Sequence, residues 1–145
     1  QQNHRGVYRS FDGADSWERI ENGLPLNATG TCFGFPMAMH PHDGDTLFVV
    51  PQESDEYRFA PDGRLAVYRT TDAGDSWQAT TRGLPDSAYV GVLRQAMATD
   101  TLDEPGVYFG TSAGDVFCST DGGESWRALP CRLPRISSVL AVTEA

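Results

Sequence analysis

Three stretches of the chain superimpose over twenty positions without a gap: 6–25 (GVYRSFDGADSWERIENGLP), 66–85 (AVYRTTDAGDSWQATTRGLP) and 115–134 (DVFCSTDGGESWRALPCRLP). Each runs apolar, aromatic, x, Ser/Thr, x, Asp, three residues, then Ser-Trp, and closes on Leu-Pro. Ser10, Thr70 and Ser119 are separated by 60 and 49 residues. That period is too long for most helical solenoids and belongs to propeller blades or similar arrays, in which each unit buries its apolar surface against the next.

Within each unit the local physics is that of a β-hairpin. Residues 7–10, 67–70 and 116–119 are short β-branched and aromatic runs, each followed by an Asp/Gly turn. The carboxylates of Asp12, Asp72 and Asp121 are placed to accept backbone N–H bonds inside that turn. Gly74 and Gly123 supply positive φ there at low steric cost. Trp17, Trp77 and Trp126 open the returning strand and bring large apolar area to the gap between stacked sheets.

The patterns Ser10-x-Asp12-x-x-x-Ser16-Trp17, Thr70-x-Asp72-x-Gly74-x-Ser76-Trp77 and Ser119-x-Asp121-x-Gly123-x-Ser125-Trp126 resemble the Asp-box, or BNR, repeat. The first has Ala14 where the family has Gly, so its turn is expected to be distorted. The resemblance implies an all-β propeller and is similar to the C-terminal part of bacterial BNR-repeat, glycosyl-hydrolase-like proteins of the sialidase superfamily. It also implies four-stranded meander blades, lettered A to D from the axis outward, with the box joining C to D.

On that scheme residues 1–145 form one partial propeller. Blade one contributes C and D within 1–22, with 1–3 as the stub of a B strand. Blade two (35–82) reads A at 35–39, B at 46–51, C at 65–70 and D at 76–80. Blade three (89–130) reads A at 90–98, B at 106–110, C at 115–119 and D at 125–129. A closing A strand is expected over 136–143. Propellers close with about 4–8 blades, so an arc of about three leaves open apolar faces. Completion by the remaining blades of a longer chain, or by self-association with two copies giving six blades, is the expected partner.

Meander geometry places A–B and C–D turns on one edge, and B–C turns with D–A crossovers on the other. The A–B turn His40-Pro41-His42-Asp43-Gly44-Asp45 therefore shares the Asp-box edge. Its Pro/Asp/Gly content is explained by turn chemistry, so no metal site is assigned. The other edge carries the long B–C loop 52–64, where binding residues on rigid scaffolds concentrate, together with residues 3–5 and the D–A stretch 26–33. It groups His4, Arg5, Glu53, Asp55, Glu56, Tyr57 and Arg58 as candidate ligand-binding residues. Arg94, on an inner strand, is a further candidate ligand-binding residue, expected either to enter the axial channel or to pair with an acidic neighbour.

Sialidase chemistry, which the resemblance raises, needs an Arg triad, a Tyr activated by Glu and an acid/base Asp. The family's Arg-Ile-Pro motif is absent: Pro134-Arg135-Ile136 has another order, and Tyr57 beside Glu53 and Glu56 is a loose echo of the nucleophile pair. Glycoside hydrolysis in general needs two carboxylates about 5–9.5 Å apart. Glu53 or Asp55 supplies one, and nothing identifies the second. The preferred expectation is a binding or scaffold propeller for a glycan or protein ligand, with a hydrolase completed by further blades as the alternative.

Composition removes other classes. Eleven basic against twenty acidic side chains give a net charge of −9, against the cationic clusters that phosphate-backbone binding needs. No apolar run reaches transmembrane length, and residues 1–5 have no signal-peptide apolar region. Nucleic acid and membrane are thus not expected partners, a soluble chain is expected, and its compartment is open. Three cysteines with no C-x-x-C pair form neither a disulfide framework nor a zinc site, and no cofactor is implied.

Overall fold

In a computed structural model, residues 1–143 are described, and the last two positions of the expected arc lie outside them. The chain is all-β, built of three antiparallel meanders. The first sheet is β1 (Gln2–Asn3), β2 (Gly6–Arg9) and β3 (Glu18–Arg19). The second is β4 (Met37–Met39), β5 (Leu47–Val49), β6 (Val67–Thr70) and β7 (Gln78–Thr80). The third is β8 (Met97–Thr99), β9 (Val107–Gly110), β10 (Val116–Ser119) and β11 (Arg127–Ala128). Strand order within each sheet follows chain order, as a meander requires. Among the described residues, no helix is long and apolar enough to cross a membrane.

The ladders are shorter than the sequence suggests. Residues 90–95 were expected to begin the innermost strand of blade three, yet they bond outside their own sheet. Val90 O accepts from Ala60 N–H at 3.0 Å and Val92 O from the Gln52 amide at 2.7 Å. The segment expected as a closing strand forms only one parallel bridge, Gln95 with Ser138, backed by Val139 N–H to Gln95 O at 2.8 Å. It still lies beside the start of β8, but among the described residues no outer strand pairs with it, and Leu140 and Val142 are exposed.

The core lies in the gaps between sheets. In β5, Phe48 points into the cluster with Val67, Phe109 and Trp126 of the second gap. Its neighbours Leu47 and Val49 point the other way, into the first gap with Val7, Ile20 and Trp77. Successive side chains on a strand face opposite sides, so a sheet covered on both faces needs an unbroken apolar strand. Leu47-Phe48-Val49 is that strand, and all three are buried.

The three Asp-boxes share one hydrogen-bond pattern. In blade two, Asp72 Oδ1 accepts from Thr70 Oγ1 at 2.6 Å and Ser76 N–H at 2.9 Å, and Oδ2 from Ser76 Oγ at 2.6 Å. Gly74 N–H donates back to Thr70 Oγ1 at 2.9 Å. The box of blade one repeats these bonds, with Ala14 N–H to Ser10 Oγ at 2.8 Å, so the expected distortion is absent. Ala14 adopts φ 78° instead, at a cost of about 1–2 kcal/mol for a residue with a Cβ. A Cβ on Gly74 would lie 2.4 Å from Ile20 Cδ1, and one on Gly123 2.7 Å from Phe48 Cε1. Ala14 faces no such neighbour and is exposed, which is why only this box tolerates the methyl.

These bonds hold the box carboxylates ionised. Donation from Ser16 to Asp12 and from Ser76 to Asp72 lowers both to about 2, against an ordinary value of 3.8. Partial burial opposes the same shift at Asp121, but the bonds from Ser125 prevail and it also reaches about 2. Depressed carboxylates stabilise the fold fully above their unfolded pKa, and that contribution is lost as pH falls through the folded value. The urea midpoint of the chain is therefore expected to fall between about pH 4 and pH 2, and to fall less in a variant with Asp12→Asn, Asp72→Asn and Asp121→Asn. An equal acid dependence in the two proteins would contradict this assignment.

Candidate functional site

The edge opposite the Asp-boxes carries an open cleft of about 880 Å³ between blades one and two. One wall is the B–C loop 52–64. Its shape comes from internal bonds: Glu53 N–H to Phe59 O at 2.8 Å, Ser54 N–H to Tyr57 O at 3.1 Å, and Tyr57 N–H to Ser54 Oγ at 2.9 Å. Its base is tied to the D–A crossover of blade two by Ala60 N–H to Val90 O and by Ala88 N–H to Gly63 O at 2.7 Å. Gly91 is required at this seam, because a Cβ there would lie 2.3 Å from Arg58 O.

The other wall comes from blade one and its D–A crossover, with Arg5, Tyr8, Arg19, Asn27 and Thr29. Tyr8 and Arg19 are direct partners across β2 and β3. The Arg19 guanidinium donates to Tyr8 Oη at 3.1 Å and lies 3.6 Å from Glu21 Oε2. Tyr8 Oη donates in turn to Arg5 O at 3.2 Å. Glu21 is buried and accepts Val7 N–H at 3.2 Å and Cys32 N–H at 3.1 Å through Oε1. Cys32 beside it has its thiol pushed up to about 12, first by burial and then by the Glu21 charge, which makes it an inert core residue.

His4, Arg5, Glu53, Asp55 and Tyr57 meet at this cleft. His4 Nδ1 lies 3.9 Å from Asp55 Oδ2 across it, and the His4 ring packs on Phe33 and Phe35 at 5.1 and 5.6 Å between centroids. Glu56 and Arg58 are exposed and do not line it, and Arg58 Nε is spent on Asp55 O at 3.0 Å. Arg94 is exposed, with its guanidinium 4.0 Å above the Phe35 ring, and is not paired with an acidic neighbour among the described residues. An aromatic face supplies the attraction that an acidic neighbour was expected to supply.

Asn27 and Thr29 lie in the D–A stretch expected on this edge, whereas Tyr8 and Arg19 were not singled out from the sequence. Their signal was present, since a strand partner pair next to a B–C turn must flank that edge: Tyr8 repeats the aromatic of Tyr68 and Phe117, but Arg19 stands where the other units have Ala79 and Ala128. On the Asp-box edge, His40 Nδ1 accepts His42 N–H at 3.2 Å, while Asp43 accepts Asp45 N–H at 3.0 Å and Thr46 Oγ1 at 2.6 Å. These acceptors are therefore engaged in the turn itself. The Tyr57 hydroxyl bonds neither Glu53 nor Glu56 among the described residues, so the nucleophile pair of a sialidase is not formed.

The cleft combines hydrogen-bonding side chains, two acids and an exposed aromatic ring. Among the described residues lining it, the carboxylates are Glu53 and Asp55, both from a single loop. Among the described residues, the cleft therefore presents its acids on one wall and arginine, tyrosine and amide groups on the other.

No protein-family model matches the chain. It is 25% identical over 146 aligned positions to a xyloglucanase from Paenibacillus sp, covering 88% of this chain and 13% of that protein. It is 28% identical over 87 positions to vacuolar protein sorting/targeting protein 10 of Colletotrichum graminicola, covering 60% of this chain and 5% of the other. Among solved structures, the GH74 xyloglucanase from Xanthomonas campestris aligns with TM-score 0.61 and 20% identity over 86% of this chain and 18% of its own. The GH74 enzyme of Niastella koreensis aligns with TM-score 0.58 and 20% identity over 87% and 18%. The chain thus has the fold of a portion of a GH74 propeller and is similar, over part of their length, to xyloglucanases and to a Vps10 protein.

Proposed function

We propose that the chain is a sector of a glycoside-hydrolase propeller whose cleft between blades one and two binds a xyloglucan-type polysaccharide. The observation that carries this reading is the similarity to a xyloglucanase over 88% of the chain, together with the GH74 fold. The cleft supports it: Tyr57 offers a ring for stacking, and Glu53, Asp55, Asn27 and Arg5 offer hydrogen bonds to hydroxyls. Because the chain spans only 13% of that relative, the facing carboxylate and the remaining subsites belong to other blades. The sector by itself binds without turnover. The Vps10 similarity favours a second reading, a propeller that holds a protein ligand at the same face.

Titration calorimetry of the chain with xyloglucan oligosaccharides tests the first reading. Binding is expected, with no release of reducing ends. Asp55→Ala is expected to weaken it by about 2–10-fold, the worth of one net hydrogen bond of 0.5–1.5 kcal/mol. Unchanged affinity in Asp55→Ala and Tyr57→Ala would remove the cleft from the binding surface.

A further inference from the structure

Two junctions between blades recur in this molecule with the same parts. At the first, Trp77 N–H donates to Asn22 O at 2.9 Å and its indole N–H to Ile20 O at 2.8 Å. Arg9 of β2 crosses the gap to Asp75 of the next box at 2.6 Å. Gly23, at φ 94°, forms the corner, where a Cβ would stand 2.3 Å from Trp77 O. At the second, Trp126 N–H donates to Arg82 O at 2.8 Å and its indole to Thr80 Oγ1 at 3.1 Å. Arg69 of β6 reaches Glu124, and Gly83 at φ 88° would place a Cβ 1.9 Å from Trp126 O. Each corner glycine sits in a turn closed by the following leucine, Leu24 N–H to Glu21 O at 3.0 Å and Leu84 N–H to Thr81 O at 2.9 Å.

Blade one presents the receiving half of this junction with nothing in it. Trp17 is 46% exposed, against 4% for Trp77 and for Trp126, and Asp15 stands where Asp75 and Glu124 take their arginines. Among the described residues, the Trp17 indole N–H and backbone N–H have no acceptor.

Blade three lacks the donating half. Cys118 replaces the strand arginine, Arg132 replaces the corner glycine, and Pro130 stands where Glu21 and Thr81 close the turn. The turn is not made: Leu133 N–H goes to Gly114 O at 3.0 Å instead, and Leu133 is half-exposed while Leu24 and Leu84 are buried.

We propose that the Trp17 face docks the outer edge of another Asp-box blade, one with an arginine on its C strand and an x-Gly-Leu-Pro corner, and that blade three of a second copy is not that partner. The occupant is specified by what fills the same pocket twice in this chain: a carbonyl for the Trp backbone N–H, an oxygen acceptor for the indole N–H (the Ile20 carbonyl at one junction, the Thr80 hydroxyl at the other), a guanidinium for the acid at the Asp15 position and a glycine against the Trp carbonyl. Blade three does not form that corner, and forming it would drive the Arg132 Cβ into the carbonyl as it would at Gly23 and Gly83. Head-to-tail closure of two copies into six blades is therefore blocked at the corner. This rests on the propeller-sector reading and is independent of glycan binding.

The test combines sedimentation mass with acrylamide quenching of Trp17 from micromolar to millimolar protein. The unmodified chain is expected to keep Trp17 accessible throughout. Assembly that shields Trp17 would overturn the proposal. A variant given the junction chemistry of blade two, with Cys118→Arg, Pro130→Thr, Cys131→Arg and Arg132→Gly, is expected to associate with rising concentration and to protect Trp17. Adding Trp17→Ala or Asp15→Arg is expected to abolish that association. A variant that folds, as judged by a protected Trp126, and stays monomeric with Trp17 exposed would also overturn it. If the variant misfolds, the concentration series of the unmodified chain decides alone. Loss of glycan binding would leave all these readouts unchanged.

Discussion

Trp77→Ala lowers the stability of the chain by about 3–5 kcal/mol, whereas Trp17→Ala, the same substitution at the same repeat position, costs about 0.5 kcal/mol or less. The difference lies in what each indole touches. Trp77 is buried in the first gap beside Val7, Ile20 and Leu24, and its N–H is satisfied by Ile20 O. Truncation removes that apolar area, leaves a cavity and strands a buried carbonyl. Trp17 has the same box around it but no sheet against its face, so it has little burial to lose. Urea denaturation of the two variants checks this. Equal losses would mean that blade one is covered in solution by something its own chain supplies.

Phe48→Ala is expected to cost a similar amount, about 3–5 kcal/mol. Phe48 is fully buried at the middle of the second gap. A neighbouring stack, Phe109 with Phe117 at 5.1 Å and Phe109 edge-on to Trp126 at 5.2 Å, fills the same cluster from blade three. The residue also closes on the Gly123 turn, so the cavity would loosen an Asp-box as well as a strand. Domains are stable by about 5–15 kcal/mol, so the loss should appear as a large drop in thermal midpoint. A loss below about 1 kcal/mol would contradict the placement of Phe48 between two sheets.

The sheet order was legible because Ser/Thr-x-Asp and Ser-Trp mark the C–D turn in every unit, and a meander leaves little freedom once one turn is placed. The opposite edge was legible for the same reason, so His4, Arg5, Glu53, Asp55 and Tyr57 come together as the topology requires. What could not be read is what depends on neighbours across a gap. Trp17 and Trp77 have the same local sequence and opposite burial. Ala14 looked like a defect, yet it takes the glycine's backbone because no Ile20 or Phe48 presses on it. Arg94 found the Phe35 ring instead of a carboxylate, a partner 59 positions away and invisible to local pattern. The run 136–142 has the apolar character of a strand, yet among the described residues it forms a single bridge, through Ser138 to Gln95.

Acrylamide quenching of the chain's three tryptophans reads the stacked, one-side-open arrangement directly. Two classes are expected, one accessible indole and two protected ones, with Trp17→Phe removing the accessible class and leaving the protected pair unchanged. Three indoles quenched alike, or an accessible class that survives Trp17→Phe, would contradict blades stacked through their Asp-box tryptophans with the first face open.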